Sequence, residues 1–297
     1  MTFWVGTENG LFENGEEPVA AMEGCNVSAL TPNGHSIWAI VDDHGIWRYD
    51  DEWRELGQIS DYEVHCLLAS EDGLFAGTFA AHVYQLVGDT FFLIDGFERL
   101  ETRSQWGTPW GGPPSTRTMC RDGNNEIYAN VHVGGLARSA DEGRTWTQAQ
   151  LDIEVDVHEV HHDSEGSGAL MIAAARGFAS SHDGVAWRFY NDGLHAHYLR
   201  AVTTTSRSTF VCASRGPRGQ ETAIYRRATE SETPFSRCEY EGGWLSKNID
   251  AAALTATGNE IIFGTSDGHV HRSEDDGQTW ECCASDLPAV KTVLITH

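Results

Sequence analysis

The chain has 297 residues, of which 20 are basic and 44 acidic, and its formal net charge is −24. Nucleic acid is therefore not expected as a partner, because binding a phosphate backbone needs an extended basic face that this charge balance does not supply. Lys247 and Lys291 are its only lysines. An acidic, lysine-poor surface, whose self-repulsion dense salt would screen, is typical of proteins from extreme halophiles.

The first residues do not form a signal peptide, because no basic stretch precedes an apolar run around Phe3 and Trp4. No segment approaches the roughly 18 consecutive apolar residues of a membrane span. We therefore expect a cytoplasmic, acidic monomer that binds no membrane, with one domain over residues 1–297.

Short β-rich runs recur along the chain, and no segment has a sustained helical period. Seven similar runs predict the first strand of each repeat: Val27–Leu30, Val64–Leu67, Thr116–Met119, Val157–Val160, Leu199–Val202, Ile249–Ala252 and Val290–Val293. A turn and a second strand follow, as in Ser36–Ile40, and then a glycine-rich turn and a third strand. The runs recur about every 37 to 53 residues, which matches the length of a four-stranded propeller blade.

The two ends of the chain together supply the seventh blade. Phe3–Thr7 predicts a second strand with no first strand before it, continued by Gly10–Glu13 and Pro18–Met22. Val290–Thr296 predicts a first strand with nothing after it. Pairing the two closes the ring and removes an exposed edge. The sequence therefore predicts an all-β, seven-bladed β-propeller of four-stranded antiparallel blades.

The pattern S-x-D-x-G-x-T-W occurs twice in full and once, over Ser180–Trp187, in reduced form. The full copies contain Ser139, Asp141, Gly143, Thr145, Trp146, and Ser273, Asp275, Gly277, Thr279, Trp280. The pattern resembles the Asp-box, or bacterial neuraminidase repeat, of YVTN-type propellers, relatives in shape of sialidases and of a photosystem assembly factor. The resemblance implies a structural turn between third and fourth strands, away from the ligand face.

The second residues of the seven first strands are expected to face the central axis, because their apolar neighbours would face the blades. These residues are Ser28, His65, Arg117, His158, Arg200, Asp250 and Lys291. Such a polar column is costly unless water or a ligand fills the tunnel. Two alternatives follow. The column is a hydrated, self-compensating ring, or Arg117 and Arg200 converge on a carboxylate, sulfate or phosphate.

Loops on the same face carry further candidates. The longest, residues 98–114, contains Trp106 and Trp110 and is expected to cover the site. Other loops of this rim contribute His195, His197, Trp244, Arg215, His44, His82, His132, Arg176, Arg218 and Lys247. Basic groups gathered on so acidic a protein indicate an anionic small molecule, a sugar or an acidic peptide as ligand.

The run His158–Asp163, H-E-V-H-H-D, invites a metal assignment. Alternate residues of a strand face opposite ways, so at most two of these ligands can converge. The enzymatic alternative is a metal-dependent hydrolase, lactonase or lyase whose ligands in the central tunnel are His65, His158 and Asp250. A sialidase is disfavoured, because the expected F-R-I-P phrase is absent and seven blades are predicted rather than six. The leading hypothesis is a non-catalytic propeller, without a cofactor, that binds an acidic ligand at its tunnel mouth.

Overall fold

The computed structural model describes residues 2–70, 73–149, 156–229 and 233–296. Its strands form seven antiparallel sheets, and the predicted all-β, seven-bladed propeller is confirmed. The strands of the closing blade and blades 1 to 3 are β1 (Thr2–Thr7), β2 (Gly10–Glu13); β3 (Val27–Asn33), β4 (Ser36–Val41), β5 (Gly45–Tyr49), β6 (Trp53–Gln58); β7 (Val64–Ser70), β8 (Gly73–Thr78), β9 (Val83–Val87), β10 (Thr90–Leu93); β11 (Thr116–Arg121), β12 (Ile127–Val131), β13 (Gly135–Ser139), β14 (Thr147–Gln148).

The remaining strands complete blades 4 to 6 and return to the closing blade. They are β15 (Val157–His162), β16 (Leu170–Ala174), β17 (Gly177–Ser181), β18 (Arg188–Phe189); β19 (Tyr198–Thr204), β20 (Ser208–Ser214), β21 (Ala223–Ala228), β22 (Ser236–Arg237); β23 (Leu254–Thr257), β24 (Glu260–Gly264), β25 (Val270–Ser273), β26 (Glu281–Ala284); and β27 (Val290–Thr296). Within each of blades 1 to 6 the sheet order follows the chain, so each strand pairs with the next.

The ring closes by pairing the two ends of the chain. Strand β27 lies antiparallel to β1, with Thr296 opposite Thr2 and Val290 opposite Thr7. The prediction of a further strand over Pro18–Met22 was wrong in detail. That stretch contributes an isolated bridge between Phe12 and Pro18 and then a 3₁₀ turn, so the closing sheet has three strands. Proline has no N–H with which to continue a ladder.

Helical structure is short throughout the described residues. It comprises α1 (Asp95–Glu98) and 3₁₀ turns at Ala20–Met22, Glu101–Gln105 and Ala251–Ala253. The last turn corrects the predicted strand over Ile249–Ala252, because β23 begins only at Leu254. Among the described residues, no helix is long and apolar enough to cross a membrane.

The hydrophobic core lies between the blades and not at the centre of the ring. The described residues form seven buried clusters, each drawing on two neighbouring blades. Close packing near the axis requires glycine in the second strands. A Cβ on Gly77 would lie 2.6 Å from Thr116 Cγ2, and one on Gly264 would lie 2.2 Å from Val290 Cγ1. The buried apolar side chains therefore pack between neighbouring blades, and polar side chains line the central axis.

The S-x-D-x-G-x-T-W turns connect β13 to β14 and β25 to β26. In the first, Ser139 Oγ accepts the Gly143 N–H at 2.9 Å, and Asp141 accepts the Thr145 N–H at 2.8 Å. The Trp146 indole N–H donates to the Gly143 carbonyl at 2.9 Å. The second copy repeats these bonds around Ser273, Asp275, Gly277 and Thr279. Hydrogen bonds within each turn therefore stabilise its conformation.

The reduced copy aligns differently from the sequence pattern. Ser181, and not Ser180, donates to Asp183 at 3.0 Å, and the Trp187 indole N–H donates to the Gly184 carbonyl at 3.3 Å. This turn is one residue shorter than the full copies. All three turns lie on one face of the ring, called here the turn face. The opposite face carries the connections into the first strands, such as residues 94–115 and 238–253, and is called the loop face.

Candidate functional site

Six of the seven predicted axial residues sit at β-bulges. Register shifts leave these residues without an opposite partner in the strand ladder, and they are Ser28, His65, Arg117, His158, Arg200 and Lys291. A bulge re-aims a side chain at the cost of one ladder position, and bulges recur next to functional sites. Asp250 reaches the same place differently, as the residue before the 3₁₀ turn Ala251–Ala253.

All seven of these residues line one cavity of about 430 Å³ on the axis, called here the axial cavity. Its wall also includes Asp43, Ser115, Thr118 and His132. The expectation that the column faces the axis therefore agrees with the structure. The bulges supply the physical reason, since each turns its residue out of the blade and toward the tunnel.

The two axial arginines share a carboxylate of the protein itself. Asp250 Oδ1 lies 2.7 Å from Arg200 Nε and 3.7 Å from Arg117 Nη2. Burial and the nearby Arg200 lower the pKa of Arg117, while Asp250 opposes that shift. The sequence analysis expected both guanidinium groups to face an external anion. That expectation is corrected, because Asp250 occupies the place between them.

A second cavity of about 260 Å³, called here the side cavity, adjoins the axial one and shares Arg200, Asp250 and Lys291 with it. It adds Arg218 and Lys247, so four basic side chains line it. Asp250 is the one acid among its described lining residues. Lys247 and Lys291, the two lysines of the chain, therefore line the same cavity.

Loop contacts hold Arg218 and Lys247 beside each other. Asn248 Nδ2 donates to the carbonyls of Gly216 and Pro217 at 3.1 and 3.2 Å. Gly219 has a φ of +71°, and a Cβ there would lie 2.3 Å from Asn248 N. Only glycine permits this approach of the two loops.

A compact cluster of possible metal ligands lies at the wall of the axial cavity. His132 Nε2 and His158 Nε2 lie 3.3 and 3.4 Å from Asp156 Oδ1. Burial acts to raise the pKa of the Asp156 carboxyl, but the two imidazoles outweigh it and hold that pKa well below its ordinary value. Burial lowers the pKa of His132 despite Asp156, which favours its neutral form.

This cluster corrects the predicted metal set of His65, His158 and Asp250. Within the described ranges, the group of three ligands close enough to share an ion is His132, Asp156 and His158. His65 instead lies 3.7 Å from Glu63. Sequence reasoning did not select Asp156, although an acid directly before a first strand, as at Glu63, is a readable signal for a side chain on the loop face.

The other ligands in the run His158–Asp163 diverge, as the strand period predicts. His161 Nε2 lies 3.0 Å from Thr204 Oγ1, between blades. Asp163 is fully buried and accepts the N–H groups of Gly166 and Ser167 at 3.1 and 2.7 Å.

The two tryptophans of the long loop have different positions. Trp106 is packed into the blade 2–3 cluster, where its ring lies 5.8 Å from Phe97 and 5.4 Å from the Arg103 guanidinium. Trp110 is 69% exposed and lies 5.6 Å from the His132 ring, beside the axial cavity. Trp110 is therefore the one placed to cover the site, and the expectation for Trp106 is corrected.

The remaining rim candidates lie away from both cavities. His195 bonds to the Tyr225 hydroxyl at 2.8 Å, and its ring lies 4.8 Å from Trp244, against which the Arg237 guanidinium packs at 3.9 Å. Seven rim candidates lie outside the described linings of the axial and side cavities: His44, His82, Arg176, His195, the exposed His197, Trp244, and Arg215, which pairs with Glu221 at 2.5 Å.

Comparisons with known proteins bear on the fold. No family model and no curated protein matches the chain. Solved structures that resemble it include a GH74 enzyme of Niastella koreensis (TM-score 0.65, 17% identity, 95% of this chain and 47% of that one). A virginiamycin B lyase of Staphylococcus aureus also resembles it (0.66, 13%, 96% and 89%), as does YCF48 bound to D1 peptide (0.58, 16%, 86% and 81%).

The chain spans about half of the length of the GH74 enzyme. At these identities the likeness shows the fold alone. The similar structures include enzymes and a peptide-bound propeller, so the fold does not choose between catalysis and binding.

Proposed function

We propose that this propeller is a non-catalytic binding protein that takes an anionic small molecule, an acidic sugar or an acidic peptide at its tunnel mouth. The observation that carries the proposal is that Lys247 and Lys291, the two lysines in the chain, line the side cavity together with Arg200 and Arg218. In a protein of net charge −24, a local concentration of basic groups attracts and orients an anion.

The pairing of Arg117 and Arg200 with Asp250 does not neutralise this site. Within the described residues, Arg218, Lys247 and Lys291 form no ion pair with an acidic side chain. The two axial arginines are therefore compensated by Asp250. The exposed side chains of Arg218, Lys247 and Lys291 remain available to a ligand. The axial histidines line the adjoining axial cavity, where Trp110 lies against His132, and these rings suit the ring of a sugar or a base.

We further propose that the chain is an Asp-box propeller and that its acidity is an adaptation to high salt. The S-x-D-x-G-x-T-W turns lie on the turn face, where they would stabilise blades without touching a ligand on the loop face. The structure of YCF48 bound to D1 peptide is a precedent for a protein of similar fold that binds a peptide. The metal-dependent hydrolase or lyase is the second candidate, favoured by the cluster of His132, Asp156 and His158.

The test measures binding of citrate, inorganic phosphate, glucuronate and an oligoglutamate peptide by calorimetry, in the lowest KCl concentration that keeps the protein folded. We expect at least one probe to bind, and K247A/K291A to weaken it by about tenfold or more, since each lost charge-assisted contact contributes about 1.5–3 kcal/mol.

The matched control is R144A/R207A, which removes two exposed positive charges from the turn face. If binding depends only on overall charge, both double variants will weaken it equally, and the proposal is overturned. It is also overturned if none of the probes binds.

A further inference from the structure

Two loops and one bulge bring together His132, Asp156 and His158. His132 follows β12, and its N–H donates to the Ser115 carbonyl at 2.9 Å. Asp156 precedes β15, and its carbonyl accepts the Ala175 N–H at 3.0 Å. His158 is the bulged residue of β15. The backbone on both sides of the cluster is therefore fixed by hydrogen bonds.

The separations within the cluster match those of ligands around one ion. Ligands 2.0–2.1 Å from a tetrahedral zinc ion lie about 3.3–3.4 Å from one another. The two separations between imidazole nitrogen and carboxylate oxygen are 3.3 and 3.4 Å, and all three ligand atoms lie within 4.8 Å of one another. Direct charge-assisted hydrogen bonds are shorter, about 2.7–2.9 Å.

The tautomer of His158 is fixed by its other nitrogen. His158 Nδ1 lies 2.5 Å from the Leu199 carbonyl oxygen, which can only accept, so Nδ1 carries the proton. In the neutral ring, Nε2 then presents its lone pair to the cluster. The side chain is 1% exposed, and Nε2 has no hydrogen-bond partner. A buried acceptor without a donor needs an explanation, and a backbone-anchored imidazole is the usual form of a metal-binding histidine.

The cluster has an open side. His132 and His158 both line the axial cavity, whereas the ring of Trp110 lies against His132 from the long loop. Three protein ligands with a further position open to a cavity are typical of a metal site that accepts water or a ligand. Arg117 lines the same cavity and favours an anionic occupant of that position.

We propose that His132 Nε2, His158 Nε2 and the Asp156 carboxylate form a binding site for one divalent transition-metal ion, open to the axial cavity. Two imidazoles and one carboxylate suit Zn²⁺ and its first-row neighbours, whereas Mg²⁺ and Ca²⁺ prefer sites made of oxygen. The site goes beyond the proposed anion binding and does not rest on it.

The test is calorimetric titration of EDTA-treated, dialysed protein with ZnCl₂ and, separately, with MgCl₂, together with metal analysis after dialysis. We expect one Zn²⁺ per chain and no saturable Mg²⁺ binding. H132A and D156N should each weaken Zn²⁺ binding by about a hundredfold or more, since each removes or weakens one of three ligands. His132 lines the axial cavity and the Asp156 side chain is 31% exposed, so neither change creates a hole in the core, and circular dichroism shows whether each variant is folded.

The matched control is H195A, which removes another histidine of the loop face outside the axial cavity. Zn²⁺ binding should be unchanged in it. The proposal is overturned if the wild type binds no stoichiometric Zn²⁺. It is equally overturned if H132A/D156N binds as the wild type does, because Zn²⁺ then lies elsewhere, for example at Cys282 and Cys283. The anion titrations with K247A/K291A are scored separately, so either proposal can fail alone.

Discussion

Replacing Asp276 by Asn tests a buried charge that links two blades on the turn face. Asp276 is 3% exposed, and its carboxylate accepts the hydroxyls of Thr205 and Ser208 at 2.6 and 2.9 Å and the guanidinium of Arg226. These three partners belong to blade 5, whereas Asp276 lies in the turn between β25 and β26 of blade 6. Its φ of +61° is tolerated by Asn as by Asp, so the change adds no backbone strain.

The expected cost follows from the charge left behind. Asn keeps one acceptor oxygen, but its NH₂ group replaces the other. That NH₂ group must face either a hydroxyl that donated to the carboxylate or the Arg226 guanidinium, and a guanidinium has no acceptor. Leaving a buried ion without its partner costs about 3–5 kcal/mol. The Arg226 side chain is 33% exposed, and water takes over part of its solvation. We therefore expect a loss of about 3 kcal/mol in the free energy of unfolding, at the low end of that range.

The matched control is the same change at the neighbouring Asp275. Its Oδ1 accepts the N–H groups of Gln278 and Thr279, and Asn can retain these bonds and donate to the Thr279 hydroxyl instead of accepting from it. D275N should cost about 1 kcal/mol or less. The assay is urea unfolding at constant high KCl, with the slope m checked for constancy. If D276N costs no more than D275N, the reasoning about the inter-blade charge is refuted.

Three further expectations can be checked by unfolding measurements. The melting temperature should rise steeply from about 0.1 to 3 M KCl, because salt screens the repulsion among 44 acidic residues; a flat profile would contradict the high-salt interpretation. Deleting residues from Lys291 onward removes most of β27 and exposes the edge of β1, so the shortened chain should aggregate or melt far lower, and an unchanged melt would refute closure by this strand. Burial lowers the pKa of His161 to about 4, so the native state disfavours its proton and stability falls as the pH drops from about 6.5 to 4. H161Q should remove up to about 3 kcal/mol of that fall, and equal pH slopes in both proteins would count against it.

The sequence by itself determined the fold of this protein. Strand alternation, turn glycines and the repeated S-x-D-x-G-x-T-W pattern are local signals, and each blade needs only its neighbours for a core. The unpaired strand predictions at Phe3–Thr7 and Val290–Thr296 were enough to predict closure, which the pairing of β1 with β27 confirms. The sequence pattern also selected the seven residues that line the axial cavity, although bulges, and a 3₁₀ turn after Asp250, are what direct them there.

The interactions among the residues around the axis were decided by the tertiary structure. The pairing of Arg117 and Arg200 with Asp250, the cluster of His132, Asp156 and His158, and the meeting of both lysines join residues from different blades. Strand period gives the direction of a side chain but not its distance from a side chain on another blade. Those distances depend on the bulges, the loop packing and the closed ring, and because charge interactions vary steeply over a few ångströms, the chemistry of the tunnel mouth is set by them.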